Sequence, residues 1–188
     1  MKYFMIVQSE NNPFPEIVNW NRALDVRALN REAYRSLPPF LMLDMRLDLD
    51  AYMPDILVSP FLLLSREAME MVVLYEQELP FVFAALFDTK QGICGSYYCP
   101  IPEDVACVVE RRGNGDIQIL LKQEQIGGKV LFRVDVRDKK RIVIRMDLAE
   151  SLLARDITGL ELREVTVLLQ DRTCGADRKE RYGYGIFR

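Results

Sequence analysis

The chain contains no histidine. Imidazole is the usual general base at neutral pH and the commonest protein ligand for zinc and copper. Its absence excludes Ser-His-Asp and Cys-His triads and every metal motif built on imidazole. The cysteines are Cys94, Cys99, Cys107 and Cys174, with no CxxC spacing. Cys94 and Cys99 lie five apart in one extended run, which puts them on opposite faces of a strand. Buried structural thiols and no metal site are expected. Asp44, Asp48, Asp50 and Asp55 place four carboxylates within twelve residues. No Asp-x-Asp-x-Asp-Gly loop accompanies them, and Leu47 and Leu49 alternate with them as packing residues do. They read as a solvated acidic edge, and also as the candidate contact for a basic partner. The glycines, Gly113, Gly115, Gly127, Gly128, Gly183 and Gly185 among them, fit neither a Walker A loop nor a GxGxxG turn before a helix. No nucleophile, base and oxyanion donor assemble, so the sequence reads as non-enzymatic, with no catalytic, metal or cofactor-binding residue and no cofactor.

A chain of 188 residues with 49% hydrophobic and 28% charged residues can bury one sizeable core. No Gly-, Ser- or Pro-rich linker divides it and no internal period is visible, so a single domain over 1–188 is expected, with 171–188 as a frayed tail. The net charge of -3 argues against a nucleic-acid partner, whose phosphates require a basic surface. The apolar run after Lys2 is too short for a signal sequence. The longest apolar stretch, Leu79 to Phe87, is far below the roughly 18 residues that span a bilayer. These features place the expected protein in the cytoplasm, away from membranes.

The elements that would position these groups fall into two styles. KYFMIVQ opens as a strand. A weakly patterned helix is expected over Arg22 to Tyr34. ILVSPFLLLS is a buried extended run. Ser65 is a good N-cap for a helix over Arg66 to Gln77, where Ala68, Met71, Val72 and Tyr75 share a face. After Leu79 the chain reads as hairpins: LPFVFAALF with ICGSYYCPIP, DVACVVE with IQILLK, and KVLFRVDV with RIVIR. Asp147 and Glu150 resemble an acidic capping box for a helix over Leu148 to Ala154, stopped by Gly159. LELREVTVLL closes as a strand. The expected fold is α+β: a helical N-terminal part packed on a mostly antiparallel C-terminal sheet that buries Phe81, Phe83, Val108, Leu120, Phe132, Val143 and Val167.

Several of these segments, in order, resemble the eleventh immunity-protein family of bacterial polymorphic toxin systems. They are the opening strand, Ile17-Val18-Asn19-Trp20, and Pro54-Asp55 with ILVSPFLLLS and its helix. Tyr97-Tyr98 through Pro100-Ile101-Pro102 follow, then Gly128 to Arg133 and RIVIRMDLAESLLARDITGLELREV. The resemblance runs from the first strand to about Val165. It implies a cytoplasmic antidote that binds a cognate toxin protein, without catalysis or cofactor. It assigns no binding residue and leaves the oligomeric state open. An adaptor for another protein, or a small-molecule-binding domain with a pocket between helix and sheet, is the alternative.

Overall fold

The computed structural model describes residues 1–8, 14–48, 52–111, 117–137 and 139–168. Strand accounts for 42% and helix for 21%, arranged as two six-stranded sheets. The first sheet is formed by β2 (Glu16–Ile17), β3 (Phe40–Arg46), β4 (Ile56–Leu57), β5 (Leu63–Leu64), β6 (Phe81–Asp88) and β7 (Ile93–Pro100). Its spatial order is β2-β3-β6-β7-β5-β4. The second is formed by β8 (Cys107–Arg111), β9 (Ile117–Lys122), β10 (Leu131–Val136), β11 (Lys139–Arg145), β12 (Glu161–Leu168) and the N-terminal strand β1 (Tyr3–Val7). Its order is β10-β11-β1-β12-β9-β8. Two helices of more than one turn pack between the sheets, α2 (Arg66–Tyr75) and α4 (Met146–Leu153). Two single turns, α1 (Trp20–Ala23) and α3 (Gln123–Ile126), decorate them.

The two sheets are the same unit used twice. Each has a strand pair (β2-β3, β8-β9), a hairpin (β4-β5, β10-β11), a helix (α2, α4) and a long strand (β6, β12). In each, that long strand lies parallel to the second strand of the pair, and every other pairing is antiparallel. The last slot, filled in the first sheet by β7, is filled in the second by β1. The registers fix the equivalence. The row Ile56-Leu64-Tyr98-Phe83 matches Leu131-Ile144-Phe4-Glu164. Tyr97 and Tyr3, each one residue earlier, are both buried. The sequence shows no repeat because a sheet constrains burial and pairing, not residue identity.

The halves share a core. Ala68, Met71 and Val72 of α2 and Leu148, Ala149 and Leu152 of α4 meet in one cluster with Ile6, Ile56, Leu64, Leu131 and Ile144. Each leucine, isoleucine, valine and methionine among them contributes about 1.5–3 kcal/mol by leaving water. Polar ties repeat the symmetry. The amide before β4, on Asp55, donates to Thr158 Oγ1 after α4 at 3.0 Å. The amide before β10, on Val130, donates to Glu76 Oε1 after α2 at 2.9 Å. Arg133 on β10 then ties the halves, donating to the Leu29 carbonyl of the first half and, at 2.6 and 2.8 Å, to Asp104 in the segment between β7 and β8.

This architecture corrects the expected fold. The N-terminal part is not a helical layer on a sheet but a sheet in its own right, and the class is mostly β. The expected helix over Arg22 to Tyr34 is instead α1 followed by 3-10 turns at Val26–Ala28 and Tyr34–Ser36. Its apolar positions, Leu24 and Leu29, cover the first sheet without a continuous helical stripe. The helix at Ser65 forms as read, with Ser65 Oγ accepting from the Ala68 amide at 3.2 Å. Asp147 is not an N-cap. It lies inside α4, accepts from the Leu148 amide and pairs with Arg145 at 2.7 Å. Of the residues expected in the core, Leu120, Phe132 and Val143 are buried, Phe81, Phe83 and Val167 are half-buried, and Val108 is exposed.

Candidate binding surfaces

Strand β3 alternates strictly. Leu41, Leu43 and Met45 point into the core with Val82, Ala84 and Leu86 of β6. The other parity, Phe40, Met42 and Asp44, faces outward. Phe40 is 52% and Met42 59% exposed. Register places Phe40 beside Phe83 and Phe83 beside Tyr98. The Phe83 and Tyr98 rings meet edge to face at 5.6 Å. The next rows are Met42-Ala85-Ser96 and Asp44-Phe87-Cys94. Helix α2 covers only the Ile56, Leu64 and Phe81 end of this face. The remainder is an open sheet surface with an aromatic row at its centre.

The second half fills the same position with charge. The equivalent of Phe83 is Glu164, exposed and paired with Lys2 at 3.2 Å. The equivalent of Asp44 is Lys122, also exposed. The fold therefore does not require an aromatic residue at Phe83. An apolar face left open where its counterpart is charged is the compositional mark of an interface centre.

The described aspartates of the acidic segment, Asp44, Asp48 and Asp55, do not act together. Asp44 accepts from Asn19 Nδ2 at 3.0 Å while its amide donates to Asn19 Oδ1 at 2.8 Å, an arrangement that continues the β2-β3 edge. Asp48 is exposed and, among the described residues, has no hydrogen bond or ion pair. Asp50 lies outside the described residues. Asp55 precedes β4 at the far edge of the sheet, four inter-strand steps or roughly 19 Å along it from β3. Its Oδ2 accepts from the Thr158 amide at 2.9 Å and from the Thr158 hydroxyl at 2.7 Å. Burial pushes the Asp55 carboxyl up, but those bonds and one from Ser65 outweigh it and hold the group below its ordinary range. Asp55 is a latch between the halves, and Asp44 an edge-closing residue. Asp88, at the same end as Asp44, accepts from the amides of Leu47, Lys90 and Gln91, which fastens the β6-β7 turn to the end of β3.

Cys94 is exposed on the open face, Cys99 buried beneath it on the other side, and Cys107 half-buried. Cys174 lies outside the described residues. Burial pushes the Cys99 thiol up to about 12. Among the described residues no group of three or more His, Cys, Asp or Glu side chains is placed to hold a metal, and no helix is long and apolar enough to cross a membrane. A cleft of about 430 Å³ opens between the two halves, lined by Trp20, Phe61, Leu62, Arg133 and Ile142 among others. Trp20 of α1 and Val26 of the following 3-10 turn form part of its first-half wall.

Sequence reasoning missed Phe40, Met42, Phe83 and Phe87 as surface residues. The signal was present: FLMLDMR and FVFAALF are apolar at both parities, more than one buried face can use. Comparison of the chain with protein-family models, curated proteins and solved structures finds no match.

Proposed function

We propose that the chain is an immunity protein that binds a cognate bacterial toxin domain in the cytoplasm and neutralises it by occupying its surface, with no catalytic step and no cofactor. The open face of Phe40, Met42, Phe83 and Phe87 carries the protein-binding part of this reading. The ordered motifs that resemble the eleventh immunity-protein family support a toxin as the partner. The face is small beside the roughly 800 Å² that a stable interface buries per partner, so it is the centre of the contact and not its whole extent. Aromatic side chains at such centres carry most of the affinity. Among the proposed acidic contacts, Asp48 is the one whose charge serves nothing else in the described chain. Its role is to steer a basic partner.

The test is co-expression with the toxin encoded in the neighbouring reading frame. The chain should restore growth, and Phe40→Asp with Met42→Asp should abolish protection while the urea midpoint stays unchanged. Each substitution should cost about 2 kcal/mol or more in binding, roughly thirtyfold. Asp48→Lys should slow association at low salt and leave dissociation alone. Full protection by the Phe40/Met42 variant would remove the face. Failure of the wild-type chain to bind or protect against that toxin would remove the function.

A further inference from the structure

We infer that the partner docks by adding an extended segment, as one more strand, to the free edge of β3. The inference rests on the reading of the open face as the contact centre, and it states how the partner's backbone meets that face. The direction of the β3 backbone follows from Asp44. Its amide donates to Asn19 Oδ1 at 2.8 Å and its carbonyl accepts from the Val18 amide at 2.9 Å, so both groups point away from β6. Alternate residues of a strand point their backbone groups the same way. The N–H and C=O of Met42 and Phe40 therefore also leave the sheet at this edge, while those of Leu41 and Leu43 serve the ladder to β6. Strand β2 reaches only Arg46 and Met45, and Val18 covers Asp44. The chain then turns into α1 at Trp20, and Leu24 enters the core. Among the described residues, nothing pairs with the Met42 and Phe40 backbone on this side.

In the second half the same edge position is filled by a strand. Met42 and Leu43 are equivalent to Leu120 and Leu121. Strand β8 pairs antiparallel with that stretch, Val108 opposite Leu120 and Cys107 opposite Leu121, and its ladder runs on to Arg111. In the first half, among the described residues, no strand lies there. Free edges are commonly blunted by lysine, proline or a bulge. Phe40 to Leu43 contain no lysine or proline and keep an unbroken register with β6.

The edge suits a segment of another protein better than a second copy of this chain. Two β3 strands paired antiparallel, Phe40 opposite Met42, would bring Pro38 of one copy level with Asp44 of the other. Val18 and Asn19 already occupy that place. A partner segment is free to leave the edge at Met42. Antiparallel to β3, as β2 is, it exchanges backbone hydrogen bonds with Met42 and Phe40. Its residues opposite these two share their outer face, where the row Phe40-Phe83-Tyr98 is aromatic. The segment is therefore apolar at alternate positions. It also widens a face that is small for a stable interface by itself.

The experiment separates backbone from side chain at Met42. Its N–H points off the edge, so Met42→Pro removes a donor to the partner and spares the ladder to β6. Met42→Leu keeps both the donor and an apolar side chain. Affinity of the full chain for the toxin domain encoded in the neighbouring reading frame is measured by calorimetry. Met42→Pro should weaken it about tenfold or more at an unchanged circular dichroism spectrum, and Met42→Leu should leave it within a few-fold. Should Met42→Pro not fold, amide hydrogen exchange of the wild-type chain decides: Phe40 and Met42 should exchange more slowly in the complex. A folded Met42→Pro variant that binds as the wild type does, or unchanged exchange at both amides, would overturn the strand and leave the open face as the contact. A wild-type chain that does not bind the toxin removes the functional reading and this inference with it. A concentration-dependent dimer of the free chain that Met42→Pro dissolves would assign the edge to a second copy and overturn the partner segment.

Discussion

Replacing Arg133 by methionine tests whether one side chain holds the two halves together. The substitution keeps an unbranched apolar stem and removes the guanidinium. That group is 9% exposed and donates to both Asp104 oxygens, at 2.6 and 2.8 Å, and to the buried Leu29 carbonyl. Breaking a fully buried pair costs about 3–5 kcal/mol. Asp104, however, is 48% exposed and keeps Lys140 at 3.7 Å, so screening reduces this share to about 1 kcal/mol. The Leu29 carbonyl, left without its donor, adds about 1–3 kcal/mol. The expected loss is about 2–4 kcal/mol. At an m-value of about 2 kcal/mol per molar, the urea midpoint falls by about 1–2 M. Asp104→Asn should cost only about 1 kcal/mol, because it weakens the exposed partner and leaves Leu29 satisfied. A loss below 1 kcal/mol for Arg133→Met, or equal losses for both variants, would refute the reasoning.

Gly159 sits at φ +81°, and a Cβ there would lie 2.2 Å from the Ile56 carbonyl oxygen. Gly159→Ala should cost about 2 kcal/mol or more through strain at the joint between α4 and β4, read by thermal melting, and a neutral effect would contradict the packing there. Acid should destabilise the fold. The Asp104 carboxyl is lowered by its bonds to Arg133 against burial, Asp147 by Arg145, Asp88 by backbone amides, and Asp55 lies below its range despite burial. Depressed carboxyls contribute stability above their unfolded values near 4, and lose it as pH falls through the folded ones. Denaturant melts should therefore be flat between pH 6 and 7 and decline below about pH 4; a change above about 1 kcal/mol across pH 6–7 would contradict this. In alkali the sign reverses for Cys99. Its folded value of about 12 lies above the ordinary 9.0 of a thiol, so its contribution is intact below 9 and lost as pH rises through 9 to 12. At pH 8 a thiol reagent should modify Cys94 well before Cys99 in the folded chain, and equal rates on mass mapping would contradict the burial.

Local signals were legible and long-range ones were not. Ser65 and the apolar stripe after it specified α2 because capping and a 3.6-residue period are properties of adjacent residues. The hairpins β6-β7, β8-β9 and β10-β11 were readable for the same reason. The rest of the first sheet was hidden for three reasons. Strands β4 and β5 are two residues each. Strand β3 pairs in parallel with β6 across a long connection. Its alternation is also masked by Phe40 and Met42, apolar residues on the outer face. That last obstacle is informative: the sequence breaks the half-buried pattern where the proposed interface lies. The acidic segment misled in the opposite way. Closeness in sequence suggested one patch, but β6, β7 and β5 lie between β3 and β4 in the sheet, and two of the aspartates bond within the chain.

The borrowed strand β1 imposes an order on assembly. Every strand of the first sheet lies between Glu16 and Pro100, so that half can close as soon as those residues have left the ribosome. The second sheet cannot. Tyr3 is made early, yet its neighbours are Arg145 on one side and Val165 on the other. Contacts of such sequence separation form late, because the chain between must first be gathered in. Until then β11 and β12 each expose an unpaired edge, the condition under which strands take up foreign partners. The finished first half is the scaffold against which that gap closes: α2 offers α4 its apolar face, and Glu76 stands ready for the amide of Val130.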